Sequence, residues 1–361
     1  TLDDLRGRRV ATLGGTIAYD ILLDAEKSRG ITAVSYDDDV HPYEDLRNGR
    51  VDAVLLDNVI AARAMKRTAG LHTHEEAVAV GYYIAVLAKE NEVLRDQVNA
   101  ILRERMSDGT LERIYRRWGI WDEHQPAFFD RVASRQIETA EAETRSRLQV
   151  IARYLPSLLR AAAITIVLSC LAMALAVVLG VLVATGRVYG GPVTRAILTM
   201  YVEVVRGTPL LLQLFVIYYG FSSVIRLPAF IAALAGLGLN YGAYESEIYR
   251  SAMLAVPRGQ LDAARTLGFT EWQVFRLIRA PQALRLALAP MTNDFVALLK
   301  DSSLVSVITV VELTKQTSIF ATNIGSWALP GAICAALYLV MSLPLARFAR
   351  RLENRWRAAA A

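Results

Sequence analysis

Residues 161–186 form a run of 26 positions without one Asp, Glu, Lys or Arg. A membrane-spanning helix needs roughly 20 predominantly apolar residues, so this run can cross a bilayer with some to spare. In hydrocarbon the backbone has no water to bond to, so a single such segment is driven to be a helix. Arg160 and Arg187 bracket it and mark where the lipid stops.

Other apolar stretches follow. A second, at about residues 197–221, is interrupted by Glu203 and Arg206; a third covers about 227–249. A fourth, about 286–311, carries Asp294, Lys300 and Asp301; a fifth, about 327–348, is uncharged until Arg347. The expectation is an all-α domain of five spans over residues 151–357. Cys170 and Cys334 both lie in these apolar runs and read as small apolar filler.

Charge divides the chain into two halves. Residues 151–361 hold 19 Lys+Arg against 9 Asp+Glu, a net of +10, while residues 1–150 hold 21 against 26, a net of −5. Within the basic half, the positive charge is concentrated in alternate loops. Arg187 and Arg195 follow the first span; Arg250, Arg258, Arg265, Arg276, Arg279 and Arg285 lie between the third and fourth; Arg347, Arg350, Arg351, Arg355 and Arg357 end the chain. Basic loops stay on the cytoplasmic side. The tail is therefore expected inside and, with an odd number of spans, residues 1–150 outside.

Charges within spans must avoid lipid, since each costs about 2.5–3.5 kcal/mol at mid-depth. Glu203 and Arg206 lie three apart, on one helix face, and either pair locally at the interface or line a polar path. Lys300 and Asp301 either line or gate such a path or form a structural ion pair between helices.

The basic segment at residues 257–281 reads as two short amphipathic helices broken at Gly268, where a glycine permits a turn with positive φ, and stopped by Pro281. It is an ordinary connector or a lever that meets another protein. Its spacing is Asp262-Ala263-Ala264, three residues, Gly268, nine residues, Ile278, one residue, Ala280-Pro281. This resembles the EAA loop of ABC-importer permeases, with Asp262 where that family usually has Glu and Ala280 where it usually has Leu. The stretch Glu203-Val-Val-Arg206-Gly207-Thr208-Pro209, continuing to Gln213, is similar to the polar amino-acid uptake branch of that family. So are Tyr244 to Arg250, and Asn293 to Ser303 followed by Glu312. The resemblance covers about residues 150–357.

That resemblance implies a transmembrane domain of the type I ABC importer kind, paired with itself or a second permease in the inner membrane. It implies that Asp262, Ala263, Ala264, Gly268, Ile278 and Pro281 couple to a separate ABC ATPase subunit. No G-x-x-x-x-G-K-[ST] loop is present, so ATP and Mg belong to that partner and the chain is no enzyme and needs no cofactor of its own. Glu203, Arg206, Gln213, Lys300 and Asp301 are the candidates for the transmembrane path or its gate.

Residues 1–121 alternate strand-like and helical patterns, the mark of an α/β domain. Strands are expected at 9–13, 32–36, 51–57 and 81–88, and helices at 18–29, 94–106 and 111–118. Gly14-Gly15-Thr16 ends the first strand at a helix N-terminus, which suits a carboxylate; Asp57 ends another strand and can either face an ammonium or cap the next helix. The pattern from Asp4 through Leu13-Gly14-Gly15-Thr16, Asp57 and on to Trp118-Gly119 resembles the second lobe and return helices of amino-acid-binding proteins of ABC importers. The resemblance implies that Gly15, Thr16 and Ile17 meet a substrate's α-carboxylate and Asp57 its α-ammonium. That family's first lobe, which brings an arginine to the carboxylate, would precede Thr1, so a partial periplasmic-binding-protein lobe is expected. Residues 122–150 read as a helical linker.

His72 and His74 read as solvated, and no cluster points to metal or nucleophilic chemistry or to nucleic acid. The function implied is a polar amino-acid permease subunit with a fused extracytoplasmic binding segment, working by alternating access. The rivals are a ligand-gated receptor or channel, and an inactive truncated permease. Against a potassium-type channel, no T-V-G-Y-G filter is present.

Overall fold

The computed structural model describes residues 1–74, 77–81, 83–88, 90–134, 147–222 and 224–358. The chain divides into two compact units, Thr1–Arg147 and Leu148–Ala361.

The first unit is built on a parallel sheet. A 3-10 turn (Leu2–Leu5) leads to β1 (Arg9–Leu13), α1 (Ile17–Arg29), β2 (Thr32–Tyr36), α2 (His41–Arg47), β3 (Ala53–Val54) and α3 (Asn58–Arg67). The strand order is β2-β1-β3, with β1 parallel to both neighbours. As the central strand, β1 is buried on both faces: Val10 packs with Leu22, Ala25 and Ile31, and Ala11 with Tyr36 and Val51. Asp45 takes bonds from the Tyr36 hydroxyl (2.7 Å) and Arg50 (2.9 Å), forming a buried ion pair. Three helices follow: α4 (Glu92–Ser107), α5 (Thr110–Trp118) and α6 (His124–Ala133).

Two strand expectations are corrected. The strand expected at 51–57 pairs only over Ala53–Val54. The one expected at 81–88 does not form over its described residues, where Tyr83, Ile84 and Val86 are exposed. Apolar, β-branched residues give a run the propensity for a strand, but a strand exists only against a partner edge. In the expected linker, α6 is helical; residues 135–146 lie outside the described ones.

The second unit is all helix. α7 (Arg147–Tyr189) contains the uncharged run and is 43 residues long, ~65 Å at 1.5 Å per residue. Then come α8 (Pro192–Arg206), α9 (Leu210–Phe215) with a π turn (Val216–Gly220), α10 (Ala229–Ala255), α11 (Arg258–Thr266) and α12 (Glu271–Val274). A second π turn (Phe275–Arg279) leads into α13 (Ala280–Asp301), a 3-10 segment (Ser302–Ile308), α14 (Leu313–Ile324) and α15 (Ala328–Ala358). By length and apolarity alone, Tyr154–Tyr189 and Ala328–Phe348 can each cross a bilayer.

The second expected span is not one helix. α8 and the α9 segment meet at 106°, broken over Gly207-Thr208-Pro209. Pro209 has no N–H to continue a helix and disfavours a helical residue before it. The fourth expected span is helical only to Asp301; beyond it the chain tightens to 3-10 geometry and turns at Thr309, φ 68°.

α10 is the inner helix. Gly236, Gly238 and Gly242 let Leu214, Leu175 and Leu179 close onto its backbone; a Cβ at position 238 would lie 2.5 Å from Leu175. Such small-residue contacts are how helices associate where no hydrophobic force separates them from lipid.

Candidate functional site

The segment between α10 and α13 is assembled from local rules. Leu261 and Ala264, three apart on α11, are buried with Val274 against Ala252, Met253, Val256, Ala283 and Ala287. Their helix ends in a Schellman arrangement: the Gly268 N–H bonds the Arg265 carbonyl (2.9 Å) and the Phe269 N–H bonds that of Ala264 (3.1 Å). This requires the left-handed backbone that Gly268 adopts, φ 85°. Thr270 then caps α12 in a capping box with Gln273. Arg265 bridges the turn, bonding Asp262 at 2.7 Å and Glu271 at 2.6 Å. That guanidinium holds the Glu271 carboxyl below its ordinary range.

This turn presents an apolar surface. Leu267 is 78% and Trp272 64% exposed, with Leu277 and Phe269 beside them, while Asp262 and Ala263 face outward on α11. A contiguous exposed apolar patch rimmed by charge marks an interaction surface. Sequence patterning singled out Gly268 and the alanines but missed Leu267 and Trp272.

Pro281 does not stop the helix, contrary to expectation. It is the second residue of α13, and the helical path is continuous from Glu271 to Asp301. A proline clashes with the carbonyl four residues back. Here that residue is Leu277, inside the π turn Phe275–Arg279, whose wider winding accommodates the ring. Ile278, half-buried, packs on the same cluster as Leu261. The segment is anchored to the end of α7 by Arg279, which bonds the Tyr189 hydroxyl at 2.6 Å, and by the edge-on contact of Tyr189 with Phe275.

The bend at 207–209 gathers the second set. The Gln213 amide nitrogen donates to the carbonyls of Val205 (2.7 Å) and Thr208 (3.2 Å) and to the Thr208 hydroxyl (2.8 Å); its oxygen accepts from Asn240 of α10 (3.1 Å). Gln213 therefore closes the bend and fixes it to the inner helix. Glu203 and Arg206 form no ion pair with each other. Arg206 lies over the Tyr244 ring, 5.2 Å from its centre, where a cation meets the negative face of the ring. Nearby on α10, Tyr241 donates to Asp301 at 2.7 Å. The structure thus joins Arg206 and Asp301 through adjacent tyrosines, and leaves Glu203 and Lys300 exposed. A further cluster escaped the sequence reading: Arg187 of α7 and Arg250 both pair with Glu247.

In the first unit, Gly15-Thr16 follows β1 and Asp57 follows β3, so both sit at the carboxyl edge of adjacent parallel strands. Both side chains cap helices. Thr16 accepts from the Tyr19 N–H (3.3 Å), and Asp57 accepts from the Ile60 N–H (3.0 Å). Ile17 is 68% exposed. The Tyr83 hydroxyl, pushed up to about 12 by desolvation and by its bond to Asp57, leaves a phenol beside that carboxylate.

Residues 176–358 match the family model of the binding-protein-dependent transport system inner membrane component. The glutamine transport system permease protein GlnP of Escherichia coli (strain K12) is 36% identical over 205 residues, 56% of this chain and 93% of that protein. The L-cystine transport system permease protein TcyB of Bacillus subtilis (strain 168) is 36% identical over 193 residues, 53% of this chain and 82% of its own. A crystal structure of an amino acid ABC transporter with histidines aligns with a TM-score of 0.55 at 35% identity, over 59% of this chain and 99% of that one.

Proposed function

The chain belongs to the family of binding-protein-dependent transport system inner membrane components, as an amino-acid ABC importer permease, and from this we propose how it works. Residues 257–281 dock a separate ATPase subunit, which binds the ATP and Mg. The observation that carries this is the turn itself. Asp262 and Ala263 face outward, Leu267 and Trp272 stand exposed, and the helical path runs from the turn directly into α13. A push on the turn is a push on α13.

The permease works paired, with itself or a second permease, by alternating access. Residues Glu203, Arg206, Gln213, Lys300 and Asp301 border the path or its gate, Gln213 by holding the α8–α9 bend and Arg206 and Asp301 through the tyrosines of α10. The basic loops and tail face the cytoplasm, and residues 1–121 lie outside as a fused partial binding lobe. There the Gly15-Thr16-Ile17 turn takes the carboxylate and Asp57 the ammonium of a polar amino acid, the class to which glutamine and cystine belong.

The test is uptake of labelled amino acids into proteoliposomes holding this chain and its ATPase. ATP-dependent accumulation is expected, and Gly268→Arg should abolish it by at least tenfold. The glycine's left-handed backbone costs another residue about 1–2 kcal/mol, too little to unfold the helices, and nothing lies within 4 Å of where a side chain would start. An ATP-independent ion current through the wild-type chain would sink the importer reading. Normal uptake by Gly268→Arg with the ATPase still bound would sink the coupling role of the turn.

A further inference from the structure

α10 carries a carboxyl group that the transport reading leaves unused. Glu245 is fully buried, neither of its oxygens makes a hydrogen bond of good geometry, and its polar neighbour is the Tyr249 hydroxyl one turn along the helix. It lies three residues past the middle of α10, ~4.5 Å along the axis at 1.5 Å per residue. That places it deep within the helix rather than at an end where water would reach it.

α7 presents Gly180, and a Cβ built there would lie 2.7 Å from the Glu245 Cβ, so the absence of a side chain is what admits the acid. α13 presents Asp294, a second acid whose field reaches Glu245, and Met291. One turn along α10, the Tyr249 hydroxyl lies between Glu245 and the Met291 sulfur, 3.3 Å from the sulfur. α8 presents Tyr201, whose hydroxyl is spent on the Leu239 carbonyl at 2.6 Å. Arg187 of α7 and Arg250 of α10 are both engaged with Glu247. Among the described residues, no basic side chain pairs with Glu245. An ionised carboxylate without counter-ion, with a single phenol beside it and next to another acid, costs far more in such an interior than a neutral acid.

We propose that Glu245 is a proton-binding site of the membrane unit, protonated while α7, α10 and α13 are packed as seen here, and that it gives its proton to water when those helices part. The inference rests on the alternating-access reading for the parting of the helices, though not for the protonated state. The sign follows directly. Alkaline pH favours the parted, ionised arrangement and acidic pH the packed, neutral one. A cycle that must return to the packed arrangement slows as pH rises. Glutamine, neutral and of the same shape, removes that dependence.

Infrared spectra of the full chain in lipid test the protonated state without any transport. Wild type is expected to show a carboxylic-acid carbonyl band persisting at neutral pH, lost in Glu245→Gln and kept in Asp294→Asn. Uptake with the ATPase tests the consequence: wild type should fall several-fold from mildly acidic to alkaline pH, and Glu245→Gln should stay level. Glu245→Met, which cannot ionise either, carries the same two expectations if the glutamine variant fails to assemble. A spectrum with no band sensitive to position 245 overturns the proposal, even with normal uptake. So does a pH profile unchanged by both substitutions. Absence of uptake in wild type with the band present counts against the importer reading and leaves the proton site standing.

Discussion

The turn at 257–281, proposed above to dock an ATPase, and the inner helix α10 are joined end to end, yet they are held by opposite means. The turn is specified locally. A Schellman arrangement at Gly268, a capping box at Thr270 and the bridging Arg265 fix its shape from neighbours within a few residues. Its outer side chains, Leu267 and Trp272 among them, stand exposed. α10 is specified from afar: Leu175 and Leu179 of α7 and Leu214 of α9 close onto its glycines, and Asn240 and Tyr241 reach Gln213 and Asp301. The difference teaches where damage goes. Substitutions in the turn should change what the protein binds, whereas substitutions in α10 should change whether it folds.

The largest expected effect is at Gly238. Gly238→Val places its Cβ against Leu175 at 2.5 Å, and overpacking of this kind costs about 1–3 kcal/mol or more. Loss of the monodisperse peak on size exclusion in detergent, or a large drop in thermal midpoint, is expected. A variant as stable as wild type would break the comparison on the α10 side. Next comes Gln213→Leu, which removes the donor closing the bend and leaves polar groups of Val205, Thr208 and Asn240 unmatched. Each buried group so stranded costs about 1–3 kcal/mol. The thermal midpoint should fall by less than in Gly238→Val, and uptake should fall with it. Stability lost without any loss of transport would restrict Gln213 to a structural tie. The smallest effect on folding belongs to Arg265→Ala. Its ion pairs with Asp262 and Glu271 are exposed, and surface pairs contribute little. The midpoint should not move, while affinity for the ATPase drops measurably. A clear loss of stability there would erase the contrast between the two regions.

How much of this was legible in the sequence follows the same division. β2 and α1 fall where period and glycine punctuation put them, and the turn at Gly268 was readable because a short-range motif encodes it. The bend at Gly207-Thr208-Pro209 was passed over for a continuous span, because hydropathy registers apolarity and not direction. The strand expected at 81–88 failed because strand formation depends on an available edge. Pro281 was misread because its effect depends on the π turn before it. At the candidate binding turn, Thr16 and Asp57 were correctly placed at strand ends. Their capping bonds add a structural duty that the sequence offered for Asp57 only as one of two possibilities.

Sequence alone was enough to read that this chain enters a membrane, that its halves differ in charge, and that a turn of fixed spacing lies at residues 257–281. All three depend on composition or on neighbours a few residues apart, so no distant contact is needed to read them. Only the tertiary structure decided what the polar residues of the spans do. Gln213 closes a bend, Arg206 stacks on Tyr244, Asp301 takes a bond from Tyr241, and Glu245 meets no counter-ion. A polar group inside a membrane unit acquires its role from whatever packs against it, and that is set by helices far apart in the chain.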